Sequence, residues 1–166
     1  MKREGYISWD EFGMSVALIA AQRSKDPSTQ VGACILNFEN RVVGVGYNGF
    51  PNGCSDDVLP WERGKDFIDS KYSYVIHAEE NSILNASNKS DLVDGIMYVT
   101  LAPCNKCAQS IIQSGIKEVC YLSDKYHDQD FSIVARRLMD LAGIKYRKFE
   151  SLRKDLTINF VEEKND

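Results

Sequence analysis

The chain has no apolar run of about 20 residues, the length a membrane-spanning helix needs, and no positively charged leader followed by a short apolar core. Membrane insertion and secretion are therefore not expected, and the cytosol, or the nucleus, is the expected compartment. Histidine is scarce: His77 and His127 are the only two. Cysteine is present in an odd number, five, which speaks against a disulfide framework and for a reducing compartment. An excess of basic charge is also lacking, since 24 acidic residues against 20 basic ones leave a net charge of −4 and a pI of about 5.3. A nucleic-acid polymer binds through a basic stripe that releases counterions, so it gains little from such a surface. A single phosphate needs only one or two cations.

What is there suffices for one domain with its own core, at 166 residues of which 43% are hydrophobic. One domain over 1–166 is expected, with 150–166 as a charged, fraying tail. Trp9, Phe12, Val16, Ile19 and Ala20 have the spacing of an amphipathic helix. Residues 30–36 and 41–47, rich in Val, Ile and Gly, read as a β-hairpin. The stretch 48–71 has little periodicity and many turn residues, and loops of that length are usually functional or mobile. Beyond it, helices are expected over 77–86, 104–114 and 130–142, and strands over 95–101, 118–122 and 144–149. Gly115 and Gly143 act as helix stops. Strands alternating with helices after a hairpin predict a three-layer α/β/α sandwich with a mixed central sheet.

Chemistry concentrates in His77-Ala78-Glu79 and Pro103-Cys104-Asn105-Lys106-Cys107. His77, Cys104 and Cys107 supply three metal ligands, and three protein ligands leave zinc a position for water, whereas a structural zinc takes four. A lone Cys-x-x-Cys also admits a redox pair or half of a structural zinc site. No further Cys or His pair lies at ligand spacing, so one zinc per chain is expected. Pro103 suits the first turn of a helix. Cys104 and Cys107 then share a face, and the helix start favours both thiolates. Glu79 is left free to reach bound water and shuttle its proton, while zinc brings the pKa of that water from about 15.7 to near 7. The order H-x-E, then P-C-x-x-C, is that of zinc-dependent nucleobase deaminases.

Longer runs carry a closer resemblance: Ser24-Lys-Asp-Pro-Ser-Thr-Gln-Val-Gly-Ala-Cys34, Gly44 through Trp61, and Ser123-Asp-Lys-Tyr-His-Asp128. In these the chain resembles the deoxycytidylate (dCMP) deaminases of the cytidine and deoxycytidylate deaminase superfamily, especially the eukaryotic type. The resemblance extends from Trp9 to Phe149 and implies a cytidine deaminase-like fold and hydrolysis of dCMP to dUMP and ammonia for thymidylate synthesis. It implies that the Ala78 N–H and carbonyls near Thr100 read the pyrimidine edge and that Asn48 binds the sugar. The 5′-phosphate falls to Lys25, Lys125 and Tyr126. It also implies a homohexamer activated by dCTP with Mg2+ and inhibited by dTTP, with Gly49, Asn52 and Gly53 on the effector segment. From local sequence alone the alternative for Asn48 is a left-handed turn residue before Gly49, and for each of the three phosphate candidates an ordinary solvated side chain. Cys34 and Cys120 read as small buried hydrophobes. Glu80 departs from the family pattern, which has an aliphatic residue there. The rival functions are deamination of a base within RNA or single-stranded DNA, and a catalytically silent zinc- or nucleotide-binding subunit, against which an intact Glu79 argues.

Overall fold

In a computed structural model that describes residues 1–161, the elements follow the order α1 (Trp9–Ala21), β1 (Gly32–Leu36), β2 (Val42–Tyr47), α2 (Ala78–Leu84), β3 (Ile96–Leu101), α3 (Asn105–Ser114), β4 (Glu118–Ser123), α4 (Asp130–Ala142) and β5 (Lys145–Lys148). The strands form one sheet ordered β2-β1-β3-β4-β5. β1 pairs antiparallel with β2 and β3, while β3–β4 and β4–β5 are parallel. The sheet is therefore mixed, and α3 and α4 are the crossovers its parallel pairs require.

Alternation along the strands sorts the core into two layers. Ala33, Ile35, Met97, Val99 and Val119 point to one face and pack with Ala78 of α2, Ile111 of α3, and Ala135 and Met139 of α4. Cys34, Leu36, Tyr98 and Cys120 point to the other, against Met14 and Ala17 of α1. Helices on both faces make the three-layer α/β/α sandwich. Ile111 is 0% exposed, and Ile111→Ala removes about 2–5 kcal/mol by leaving a cavity.

Two differences from the sequence expectation are instructive. α1 buries only part of the expected stripe: Ala20 faces inward and Phe12 and Val16 pack partly buried on the core, but Trp9 and Ile19 are more than half exposed, and Gly13, Met14, Ala17 and Ala21 complete the inward face. Small residues win that face because they let the helix backbone come close to the sheet. The chain after Lys148 is tied back to α1 and the N-terminal segment at several points. Ser151 donates to Glu11 at 2.6 Å, Arg153 bonds the Gly5 carbonyl, and Leu156 and Ile158 lie along a groove with Met14 and Leu18. Residues 162–166, the end of the expected tail, fall outside the described residues. Among those described, no helix is long and apolar enough to cross a membrane.

Close packing of α2 on the sheet rests on a glycine. A Cβ at Gly46 would lie 2.3 Å from the Ser82 amide nitrogen and 2.5 Å from the Ala78 carbonyl oxygen, so only glycine lets α2 settle on β2. Asn81 and Asn85, one turn apart, then donate to the Tyr47 and Val45 carbonyls at 2.9 and 3.0 Å. This short helix is fastened by its polar side chains as much as by its apolar ones.

Candidate active site

Two helix starts converge at the ends of β2 and β3, where sheets of this kind place their sites. His77 is the N-cap residue of α2 and Cys104 that of α3, with Cys107 in the first turn of α3. The His77 Nδ1 lies 3.5 Å from Cys104 Sγ and 3.3 Å from Cys107 Sγ. Tetrahedral zinc, with Zn–S of about 2.3 Å and Zn–N of about 2.0–2.1 Å, would hold nitrogen and sulfur roughly 3.6 Å apart, so the three donors fit that ion. Among the described residues no other three His, Cys, Asp or Glu side chains cluster this way.

The donors perturb one another strongly. The hydrogen bond from Cys107 holds the Cys104 thiol down to about 4 against the opposing effect of burial, and His77 adds to the lowering. The same bond with Cys104, together with burial and the nearby Glu79, pushes the Cys107 thiol well up. The hydrogen bond to Cys104 carries His77 up to about 9, over the opposing effect of burial. Glu79 is 4% exposed, and burial raises its carboxyl above the ordinary range while His77 opposes the rise. Glu80 is exposed, so its departure from the family pattern leaves a charge in solvent.

A cavity of about 720 Å³ opens over this cluster, with His77, Ala78, Glu79, Leu101, Ala102 and Cys104 in its wall. Asn48 is in the same wall, and its side chain is held by backbone on both sides of the amide. Its Oδ1 accepts from the Val31 N–H at 2.8 Å and its Nδ2 donates to the Thr29 carbonyl at 2.9 Å. It is not a left-handed turn residue, since among the described non-glycine residues only Asn40 and Asp94 have positive φ. Tyr126 also lines the cavity, but Lys25 and Lys125 do not. Lys25 pairs with Asp56, and the Lys125 ammonium lies 5.0 Å from the Tyr126 ring centre. The Thr100 hydroxyl accepts from the Gly32 N–H at 3.1 Å and serves the sheet. Gly49 bridges to Ile76, whereas Asn52 and Gly53 are exposed on the loop beyond it.

Four charged residues of the wall escaped sequence reasoning: Asp26, Arg63, Lys71 and Lys106. Lys106 could have been noticed, because it lies between the two ligand cysteines. The other three are joined to the site only by the folded chain. Cys34 and Cys120 are buried away from the cavity, and burial pushes their thiols up to about 12 and about 11, so both are inert.

A carboxylate shielded from solvent beside a zinc-type donor set is equipped to move protons while water adds to an amidine carbon, which is the work of a hydrolytic deaminase. The profile of the cytidine and deoxycytidylate deaminase zinc-binding region matches residues 7–123, and the chain belongs to that family. It is 56% identical over 160 residues to the deoxycytidylate deaminases of Homo sapiens and of Mus musculus, covering 96% of this chain and 89% of each relative. The crystal structure of dCMP deaminase from the cyanophage S-TIM5 in complex with dCMP and dUMP superposes with a TM-score of 0.65 at 25% identity, over 90% of this chain and 99% of the other.

Proposed function

We propose that this enzyme hydrolyses dCMP to dUMP and ammonia, supplying dUMP for thymidylate synthesis. The observation that carries the proposal is the cavity itself, whose wall brings together buried Glu79, Asn48 and two solvent-facing cations, Arg63 and Lys106. Neither cation pairs with a carboxylate among the described residues. A carboxylate for the base, an amide for the sugar and cations for a phosphate are the groups a nucleoside monophosphate calls for, and the likeness to the human and mouse deoxycytidylate deaminases supports the same substrate.

His77, Cys104 and Cys107 would hold the zinc, which when bound supplies a water acidified to near neutral pH. Glu79 takes a proton from the attacking water and delivers it to N3 of cytosine as C4 becomes tetrahedral. It then takes the second water proton and passes it to the departing amine, so that water and dCMP leave as dUMP and ammonia. Burial suits Glu79 to both directions of transfer, because raising its pKa makes the carboxyl a better proton acceptor than an exposed one while it can still give the proton up. The Ala78 N–H and the carbonyls of residues 100–102 would orient the pyrimidine edge, and Asn48 the sugar. Tyr126, Arg63 and Lys106 are the phosphate partners we favour over Lys25 and Lys125.

Family likeness extends the proposal to a cytoplasmic homohexamer, activated by dCTP with Mg2+ and inhibited by dTTP, with Gly49, Asn52 and Gly53 on the effector segment. One experiment tests both levels: ammonia release from dCMP, deoxycytidine, CMP and a cytosine-containing single strand, with and without dCTP and Mg2+. Selective turnover of dCMP is expected, sigmoidal without effector and hyperbolic with it. Turnover of the polymer alone would refute the substrate, and hyperbolic kinetics indifferent to dCTP would refute the regulation.

A further inference from the structure

Lys71 and Asp26 are each 4% exposed, yet both reach the wall of the cavity. The Lys71 ammonium donates to both oxygens of Asp26, at 2.8 and 2.7 Å. Taking two charges out of water is expensive, and a buried pair is often no better for stability than apolar residues of similar volume. The pair therefore invites a reason beyond stability, and its connections supply one.

Asp26 Oδ1 also accepts from the Ser28 and Thr29 amides at 2.8 and 3.2 Å, closing the turn that presents the Thr29 carbonyl to Asn48. Asp26 Oδ2 lies 3.5 Å from Asn48 Nδ2. The orientation of the Asn48 amide is consequently determined. A flipped amide would set its NH2 against the Val31 N–H and its oxygen against the Thr29 carbonyl and the Asp26 carboxylate, three repulsive contacts in place of favourable ones. Lys71 also ties in the segment that leads to the metal-ligand histidine. Its carbonyl accepts from Tyr74 and Val75 at 3.0 and 2.9 Å, and Ile76, the next residue, exchanges hydrogen bonds with Gly49 at 2.9 and 3.2 Å.

We propose that Lys71 is a positioning residue: paired with Asp26, it fixes the turn at 26–29 and through it the Asn48 amide, and so sets the affinity of the site for the sugar portion of its substrate. Neutralised by Asp26, Lys71 is not the phosphate cation, a part left to Arg63 and Lys106. The proposal rests on dCMP entering this cavity with its sugar against Asn48.

The test uses the full chain loaded with zinc, as Lys71→Met and as the double variant Asp26→Leu with Lys71→Met. In Lys71→Met the KM for dCMP rises about tenfold or more while kcat stays within about threefold, the signature of lost binding rather than lost chemistry. The single variant also loses thermal stability, because a lone carboxylate is left buried. The double variant regains part of that stability, since no uncompensated charge remains although the Ser28 and Thr29 amides lose their acceptor, and it keeps the raised KM. A parental KM in the double variant, or a change in stability alone in the single one, would overturn the proposal. Hydrogen exchange of the Val31 amide, which donates to Asn48, gives a readout that needs no turnover. Exchange faster by about tenfold in Lys71→Met is expected, and parental protection would refute the positioning role even if dCMP proved not to be the substrate.

Discussion

Two of the carboxylate–cation clusters among the described residues differ in how much water they see. Lys71 and Asp26 sit in the cavity wall with side chains 6% and 4% exposed, whereas Arg147 and Asp10, on the face covered by α1, are 40% and 34% exposed. In the second cluster Arg147 bridges Asp10 and Glu118, at 2.8 and 2.6 Å, and the Tyr98 hydroxyl donates to Asp10 at 2.8 Å. This network ties α1, through Asp10, to Glu118 of β4 and Arg147 of β5. The chemistry of the two clusters is alike, but solvent separates their consequences. Screened charges fasten one element to another and contribute little, whereas charges out of water constrain whatever they touch. The molecule thus keeps its reactive machinery on the tightly constrained side and uses the wetter side as a fastening.

The largest test of this contrast is Glu79→Gln, which removes the proton carrier without changing shape. Turnover should fall by about 10²–10⁴ while zinc content stays that of the parent; full activity in a zinc-loaded variant would remove Glu79 from the mechanism. Gly46→Ala comes next. Its methyl meets the backbone of Ala78 and Ser82, so α2 must move, and a loss of about 1–3 kcal/mol in denaturant unfolding should come with lost turnover because α2 carries Glu79. Parental kinetics in that variant would mean that the site tolerates displacement of α2.

Asp10→Asn should have the smallest effect, about 0–1 kcal/mol, with kcat and KM for dCMP unchanged. Burial acts to raise the Asp10 carboxyl, but its bonds to Arg147 and Tyr98 outweigh that and hold it below its ordinary value of 3.8. A depressed folded-state pKa adds stability above the unfolded value and loses it as pH falls through the folded one. The Tm gap between parent and Asp10→Asn should therefore be steady from neutral pH down to about 4 and close below that. A kinetic effect of Asp10→Asn would show that the two faces are not independent.

The metal-ligand set was legible because its residues are chemically rare and closely spaced: one of two histidines, a Cys-x-x-Cys, and a proline to start the helix. Element order was equally legible, down to Gly115 and Gly143, whose φ of 85° and 69° end α3 and α4. The inward face of α1 was not. Aromatic and branched residues set the apparent stripe, but the sheet selected Gly13 and Ala17 for close approach, a choice no helical periodicity encodes. Of the phosphate candidates, Tyr126 lines the cavity, whereas Lys25 is held by Asp56, which lies 31 residues away along the chain.

By itself, the sequence determined which atoms can bind a zinc ion, which carboxylate stands beside it, and the alternation of strands and helices that carries them. These are local properties, written in side-chain chemistry and in periods of two and 3.6 residues. Only the tertiary structure decided that Lys71 finds Asp26 across 45 positions and that Arg63 and Lys106 line one cavity. Contacts between distant residues depend on how the sheet and loops pack, because burial and partnership arise only when the chain has closed around them.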